Sequence, residues 1–213
     1  MTSPTGPVAA EQAYAFTKAR ILSGELSGGQ LVSEGAIGAQ LGISRTPVHE
    51  AFLRLGAEQL LQLVSRKGAI VRPMTPTEAA DVLAMRRGIE TSAAGQVCAA
   101  GGPSERTTAL LRENLERQAT FVAGSDVDGF VAADDDFHAL IVEASGNPIA
   151  QNFYEQLRGR QQRLRNLLLR IDPANLASAH SDHHRLAGRL IAGDRPGFDA
   201  ALVEHFDRYQ GAI

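Results

Sequence analysis

The sequence predicts a mainly α protein, with an N-terminal winged helix-turn-helix followed by an all-α antiparallel helical bundle. Three observations predict it. From about 11 to 74 the segments are short, punctuated by glycine, and end in two β-like runs joined by Arg66-Lys67-Gly68. From 76 to 213 the chain is alanine-rich, with apolar residues recurring at three- and four-residue spacing. All five breaks in that second region carry Gly or Pro: Gly101-Gly102-Pro103, Gly124-Ser125, Gly146-Asn147-Pro148, Asp172-Pro173 and Gly193-Asp194.

Residues 1–10 read as a disordered arm, and 11–74 as the first domain. "EQAYAFTKARILSG" is amphipathic through Ala13, Phe16, Ile21 and Leu22, and Gly24 stops it. "LSGGQLVS" reads as a turn. Ser33 can cap the short helix "EGAIGAQLG", which Gly42 ends. Ser44 or Thr46 can cap the next helix, "SRTPVHEAFLRLGAEQLL", whose first turn tolerates Pro47 because the missing N–H is unpaired there anyway. Val48, Ala51, Phe52 and Leu55 form its apolar face. "LLQLVS" and "AIVRPM" then make a hairpin with a basic tip.

The second helix of such a pair enters the major groove with its N-terminal residues. Here these are Ser44, Arg45, Thr46 and His49. Arg45 suits guanine or phosphate, and Ser44 and Thr46 suit phosphate. Arg54 further along the helix, and Arg66, Lys67 and Gly68 at the wing tip, complete the expected DNA-contacting set. Residues 1–74 carry seven Lys/Arg against five Glu, a balance of +2, and the remainder carries 14 basic against 19 acidic residues, a balance of −5. A basic head on an acidic body fits a nucleic-acid contact at the head.

The second domain, 76–213, reads as helices over 76–100, 103–123, 126–145, 147–171, 175–193 and 195–210. With 44% apolar residues the chain can bury a real core. No apolar run is long enough to span a membrane, and the first residues do not read as a secretory signal. The single Cys98 reads as a plain buried thiol. A cytoplasmic protein is expected.

Five of the six histidines lie in the bundle. His183 falls on the seam Leu176, Ala179, His183, Leu186, Leu190. His205 falls on Phe198, Leu202, His205, Tyr209. His138 lies one turn after Asp134, which shares a stripe with Phe130, Phe137 and Ile141. A single inward histidine is ordinarily a satisfied core residue. Three from three helices, with a carboxylate that would be costly to bury alone, point instead to a divalent cation such as zinc, nickel or manganese. Spacing leaves both Asp134 and Asp135 as the carboxylate, while Asp136 points to solvent.

The stretches "LGISRTPVHEAFLRL", "MRRGIE", "DDDFHALIVEASGN" and "HHRLAGRLIAGDRPGFDAALVEH" resemble the GntR-type bacterial transcription regulators, specifically the FadR subfamily with its FCD ligand-binding domain. The resemblance runs from about 11 to 210. It implies a metal set of Asp134, His138, His183 and His205, which settles the aspartate. It also implies a small carboxylate effector, with Arg86 as its clamp and Asn147 as a further pocket residue. The other readings are an Arg86–Glu90 ion pair and a helix cap at Asn147. His49 and Gly35 stand where many members carry arginine and a polar or charged residue. "RLGAEQLLQ" lacks a glycine that the family commonly has at the helix end.

The expected function is a homodimeric, DNA-binding regulator, a repressor as in most of the family, and not an enzyme. Its grip on double-stranded operator DNA would be controlled by a carboxylic acid bound at the metal. The alternatives are a metal-responsive regulator, or a metal-dependent hydrolase.

Overall fold

The structure, a computed structural model, describes residues 7–65, 67–171 and 174–208. It divides into two compact units, Met1–Met74 and Thr75–Ile213.

The first unit begins with α1 (Pro7–Leu22), followed by β1 (Leu31–Val32), α2 (Glu34–Leu41), α3 (Arg45–Ala57), β2 (Leu61–Val64) and β3 (Gly68–Val71). Helix α1 starts within the expected arm. Ala9 and Ala10 are buried, so the apolar stripe of this helix extends one turn earlier than its sequence pattern shows. Ser33 caps α2, its side chain accepting from the Ala36 N–H at 3.0 Å, and Gly42 ends that helix in the left-handed region at φ 67°. Ser44 stands at the start of α3 but makes no side-chain cap. Val48, Ala51, Phe52 and Leu55 bury the inner face of α3 completely, each large side chain contributing about 1.5–3 kcal/mol.

The wing has one strand more than expected. The stretch read as a turn supplies β1, which pairs with β3 (Leu31↔Ile70, Val32↔Ala69), so the antiparallel sheet runs β1-β3-β2. Two residues are too short to show an alternating pattern. Gly68 has φ 111°, and a Cβ there would overlap the Val32 carbonyl oxygen. The close approach of β1 to β3 therefore requires glycine at this position.

The second unit is all-helical among the described residues: α4 (Pro76–Ala99), α5 (Glu105–Ala123), α6 (Val127–Ala144), α7 (Pro148–Ile171), α8 (Ala174–Ile191) and α9 (Arg195–Asp207). Thr75, Ser104, Asp126 and Asp194 cap their helices through side-chain oxygens. Helix α4 packs on α6, α7 and α9, α5 on α6 and α8, and α8 on α9. The expected seams are inward: Phe130, Phe137, Ile141, Leu176, Ala179, Leu186, Leu190, Phe198 and Leu202 are all buried. Tyr209 lies outside the described residues. Cys98 is half-buried rather than buried.

Candidate functional site

The first unit presents a cleft of about 520 Å³ between the start of α2, the start of α3 and the wing. Glu34, Gly35, Arg45, His49 and Lys67 line it, and Ser44 and Thr46 are exposed at the same end of α3. The His49 Nδ1 lies 2.7 Å from Glu34 Oε1, and the Arg45 guanidinium lies over Gly35. Arg54 departs from expectation. It folds back on α1, donating to Glu11 at 2.7 Å and stacking 3.9 Å from the Tyr14 ring centre. Nine residues separate it from Arg45, about 13 Å along the helix, so it belongs to the far end. Gly68 has its steric role at β1 as well as its place in the cleft. Arg66 lies outside the described residues.

In the second unit, Asp134, His138, His183 and His205 come together, each fully or almost fully buried, with one possible ligand atom from each within 4.8 Å of the others. His138 Nε2 is 3.2 Å from His183 Nε2, and His183 Nε2 is 3.3 Å from Asp134 Oδ1. Phe130 and Phe137 stack on the His183 ring, and His138 stacks on His205.

Each histidine has its other nitrogen held by a polar group on another helix. His138 Nδ1 is 2.7 Å from Glu90 Oε2, His183 Nδ1 is 2.7 Å from Gln118 Oε1, and His205 Nδ1 is 3.3 Å from Asp182 Oδ2. The His183 contact fixes a tautomer, because it is anchored at a backbone carbonyl. Ala133 O can only accept, so Asn114 Nδ2 donates to it at 3.0 Å. Asn114 Oδ1 then accepts from Gln118 Nε2 at 2.6 Å, leaving Gln118 Oε1 to accept from His183 Nδ1–H. In the neutral ring Nε2 is consequently bare. It faces an aspartate oxygen and a second imidazole nitrogen across 3.2–3.3 Å. Adjacent ligand atoms about 2.0–2.1 Å from one ion stand roughly 2.9–3.4 Å apart. The residues present fit a divalent cation by donor type, and the two spacings around His183 Nε2 are those of neighbouring ligands.

The electrostatics point the same way. Burial, the largest influence, and then Arg86 push His138 well below the usual histidine range. Burial, opposed by Asp182, takes His205 down to about 4. Both rings are neutral at pH 7, as metal ligands must be. Burial, the largest single influence, would raise Asp134, but the Arg165 guanidinium paired with it, together with His183 and Arg86, holds the carboxyl low. Burial raises Glu90 to about 7, with Arg86 opposing.

Beside the cluster is a cavity of about 20 Å³ lined by Arg86, Asp134, Leu164, Arg165 and His205. Arg86 forms the expected ion pair with Glu90. Its Nε donates to Glu90 Oε1 at 2.9 Å, while its buried Nη2 has no hydrogen-bond partner. Asn147 does not line this cavity. Its Oδ1 accepts from the Ile149 and Ala150 N–H groups at 3.0 and 3.2 Å and caps α7.

Two known families match the chain, one over each unit. The FCD domain matches residues 81–208, and the gntR family of bacterial regulatory proteins matches residues 9–71. The chain belongs to the GntR family, with an FCD domain. This GntR-family chain is 28% identical to the HTH-type transcriptional repressor RspR of Escherichia coli K12, over 99% of its own length and 91% of RspR. It is 32% identical to an uncharacterized HTH-type transcriptional regulator of Agrobacterium vitis, over 66% of its own length and 81% of that protein. The structure of E. coli McbR/YncC superposes with a TM-score of 0.77 at 25% identity, covering 94% of both chains. The family is one of DNA-binding transcription regulators, not enzymes, which removes the hydrolase alternative.

Sequence reasoning did not find several residues that build the bundle site of this GntR-family chain. Gln118 and Asn114 were missed as the relay behind His183, Asp182 as the partner of His205, and Arg165 as the partner of Asp134. Their signal was a polar residue on a buried stripe: Leu111, Asn114, Leu115 and Gln118 share one face of α5. Asp135 is also buried, between Arg158 at 2.5 Å and Arg165 at 2.8 Å, while Asp136 is half-exposed and pairs with Arg117. Among the described residues no helix is long and apolar enough to cross a membrane.

Proposed function

We propose that the chain is a homodimeric cytoplasmic repressor whose grip on a palindromic operator is set by a small carboxylate effector bound beside a divalent metal in the bundle. The observation that carries the metal is the meeting of bare acceptors. His183 Nε2, left bare in the neutral ring by the relay from Ala133, faces Asp134 Oδ1, and it faces a bare His138 Nε2 as well whenever ionised Glu90 accepts from His138 Nδ1. Asp134, His138, His183 and His205 would hold the ion, zinc, nickel or manganese, and its open coordination positions would accept an effector's oxygens. Arg86 supports the carboxylate. It lines the same cavity and has a buried Nη2 with no hydrogen-bond partner, and a guanidinium fork matches a carboxylate. The name of RspR supports repression. Exposed Met85 on α4 and exposed Ile149 and Phe153 on α7, two helices that pack together, offer an apolar surface for a second copy.

The size of the cavity favours a second reading. About 20 Å³ holds about one water and no organic acid. In this conformation the ion alone would be the signal, or the acid must open the cavity to bind. Opening gives an effector the differential affinity for two conformations that switching requires.

Metal analysis of the purified protein, thermal shift with metals and then acids, and retention of DNA from its own promoter region test this together. The wild type should carry a divalent ion and His183→Ala should not. Arg86→Met should keep the ion and lose the response to acids. DNA release by metal without any acid selects the sensor reading. Absence of any metal response in the wild type sinks the metal centre, and absence of salt-sensitive DNA retention sinks the regulator.

A further inference from the structure

We infer that His49 reads its operator base pair as a hydrogen-bond acceptor, taking an N–H from an exocyclic amine (cytosine N4 or adenine N6), and not as a donor to guanine. The inference rests on the reading of the first unit as a sequence-specific DNA binder and names what one side chain recognises.

Glu34 fixes the ring. Its Oε1 lies 2.7 Å from His49 Nδ1. A carboxylate only accepts, so Nδ1 carries the hydrogen, and in a neutral imidazole Nε2 is left bare. Nε2 is the other polar atom of a side chain that is 54% exposed and lines the cleft between α2, α3 and the wing. An unheld histidine would adopt either tautomer and match either a donor or an acceptor edge. The contact with Glu34 removes that choice before DNA arrives.

The two residues that make the contact are both placed by the helix-turn-helix. Glu34 opens α2 directly after the Ser33 cap, and His49 lies one turn into α3, four residues after Arg45. Arg45 is a neighbour of opposite character, a pure donor. Its guanidinium passes over Gly35, where an added Cβ would stand 3.5 Å from Nη2. Larger side chains at position 35 would redirect it. The α2 residues Glu34 and Gly35 thus preset two adjacent readers on α3: Arg45 matches guanine N7 and O6 or a phosphate, and His49 matches an amine in the major groove.

The test is selection of binding sites from a random duplex library by the full chain at pH 8, for wild type, His49→Arg and Glu34→Ala. Thermal melts establish that all three are folded. The half-site position that changes in His49→Arg locates the base pair in question. That pair is then rebuilt with a 7-deazapurine, which lacks the N7 acceptor. Wild-type binding should be unchanged by the analogue, and His49→Arg should weaken on the order of ten-fold or more on a 7-deazaguanine site. Glu34→Ala should relax the preference at that position and leave the others alone. A wild type that loses ten-fold on the 7-deazapurine donates to the base, and the inference is overturned. So it is if Glu34→Ala keeps the preference, or if His49→Arg changes affinity without changing any position. If the wild type enriches no sequence at all, the DNA-binding reading fails first and takes this inference with it.

Discussion

Replacing Gln118 with methionine separates a metal centre from an ordinary buried polar cluster. Gln118 is fully buried, accepts from His183 Nδ1 at 2.7 Å, and touches none of the proposed ligand atoms. Methionine keeps the volume and removes the acceptor. Two losses should follow, and they are measured separately. The metal-free protein leaves the His183 N–H unpaired and loses about 1–3 kcal/mol of stability. His183 also loses the partner that directs Nε2 at the site, which typically lowers metal affinity about 10- to 100-fold. At a free metal concentration of 100 times the wild-type Kd, the wild type gains about 2.7 kcal/mol from binding. A variant about 30-fold weaker gains only about 0.9 kcal/mol at the same concentration. For a chain of this size the metal-induced rise in Tm should fall from about 5–10 °C to about 2–3 °C. Chelator competition gives Kd directly. Gln118→Glu, which still accepts from Nδ1 but no longer donates to Asn114 Oδ1, should restore part of the affinity. If Gln118→Met is destabilised without metal yet shows the wild-type metal-induced shift and Kd, the relay does not orient a ligand.

Two further outcomes are expected. The metal-free second unit should lose stability as pH falls from about 6.5 to about 4. In that window the unfolded chain takes up protons that buried His205, down at about 4, and His138 refuse. His205 alone accounts for about 3.5 kcal/mol, from roughly 2.5 pH units at about 1.4 kcal/mol each. Glu90, raised to about 7, works against this, since its folded form binds a proton between about 4.5 and 7. Urea midpoints at pH 7.5, 6 and 5 measure the balance, and a midpoint that rises on acidification would mean that Glu90 outweighs both histidines. Separately, Gln59 holds φ 61° after the end of α3, a conformation that costs an ordinary residue about 1–2 kcal/mol. Gln59→Gly should stabilise the first unit by up to about 1 kcal/mol after the added chain entropy of glycine, read as an increased denaturation midpoint. A lowered midpoint would show that the Gln59 side chain contributes more than its backbone costs.

The fold was legible wherever one helix carried its own period. Each bundle helix announces its inner face by apolar spacing and its ends by Gly, Pro or a capping side chain, and α4 to α9 begin and end within a few residues of expectation. Two elements escaped because their stability is not local. β1 exists by pairing with β3, and at two residues it has no pattern of its own. The first turn of α1 exists by burying Ala9 and Ala10, whose neighbours Pro7 and Gly6 read as arm. The missing family glycine near the end of α3 was visible in the sequence as a difference, but its meaning required the backbone angle at Gln59.

The site divides in the same way. The four residues at its centre were legible because each violates an apolar stripe in its own helix, and violations at three stripes are hard to satisfy except together. The groups that set their protons were not. The acceptor for His138 is 48 residues before it in sequence, and the acceptor for His183 is 65 residues before it. Nothing in either helix's own period says which histidine a buried glutamine will face. Once the helices are packed, the proton positions are nevertheless fixed in order. A backbone carbonyl, which cannot donate, sets Asn114. Asn114 sets Gln118, and Gln118 sets the proton on His183. In the neutral ring, the bare nitrogen beside Asp134 follows from that chain. Asn114→Leu, three links from the nearest proposed ligand atom, should therefore weaken metal binding in the same direction as Gln118→Met and by less, because Gln118 remains able to accept but is no longer held in place. An Asn114→Leu variant that binds metal as tightly as the wild type would show that packing, not the relay, directs His183.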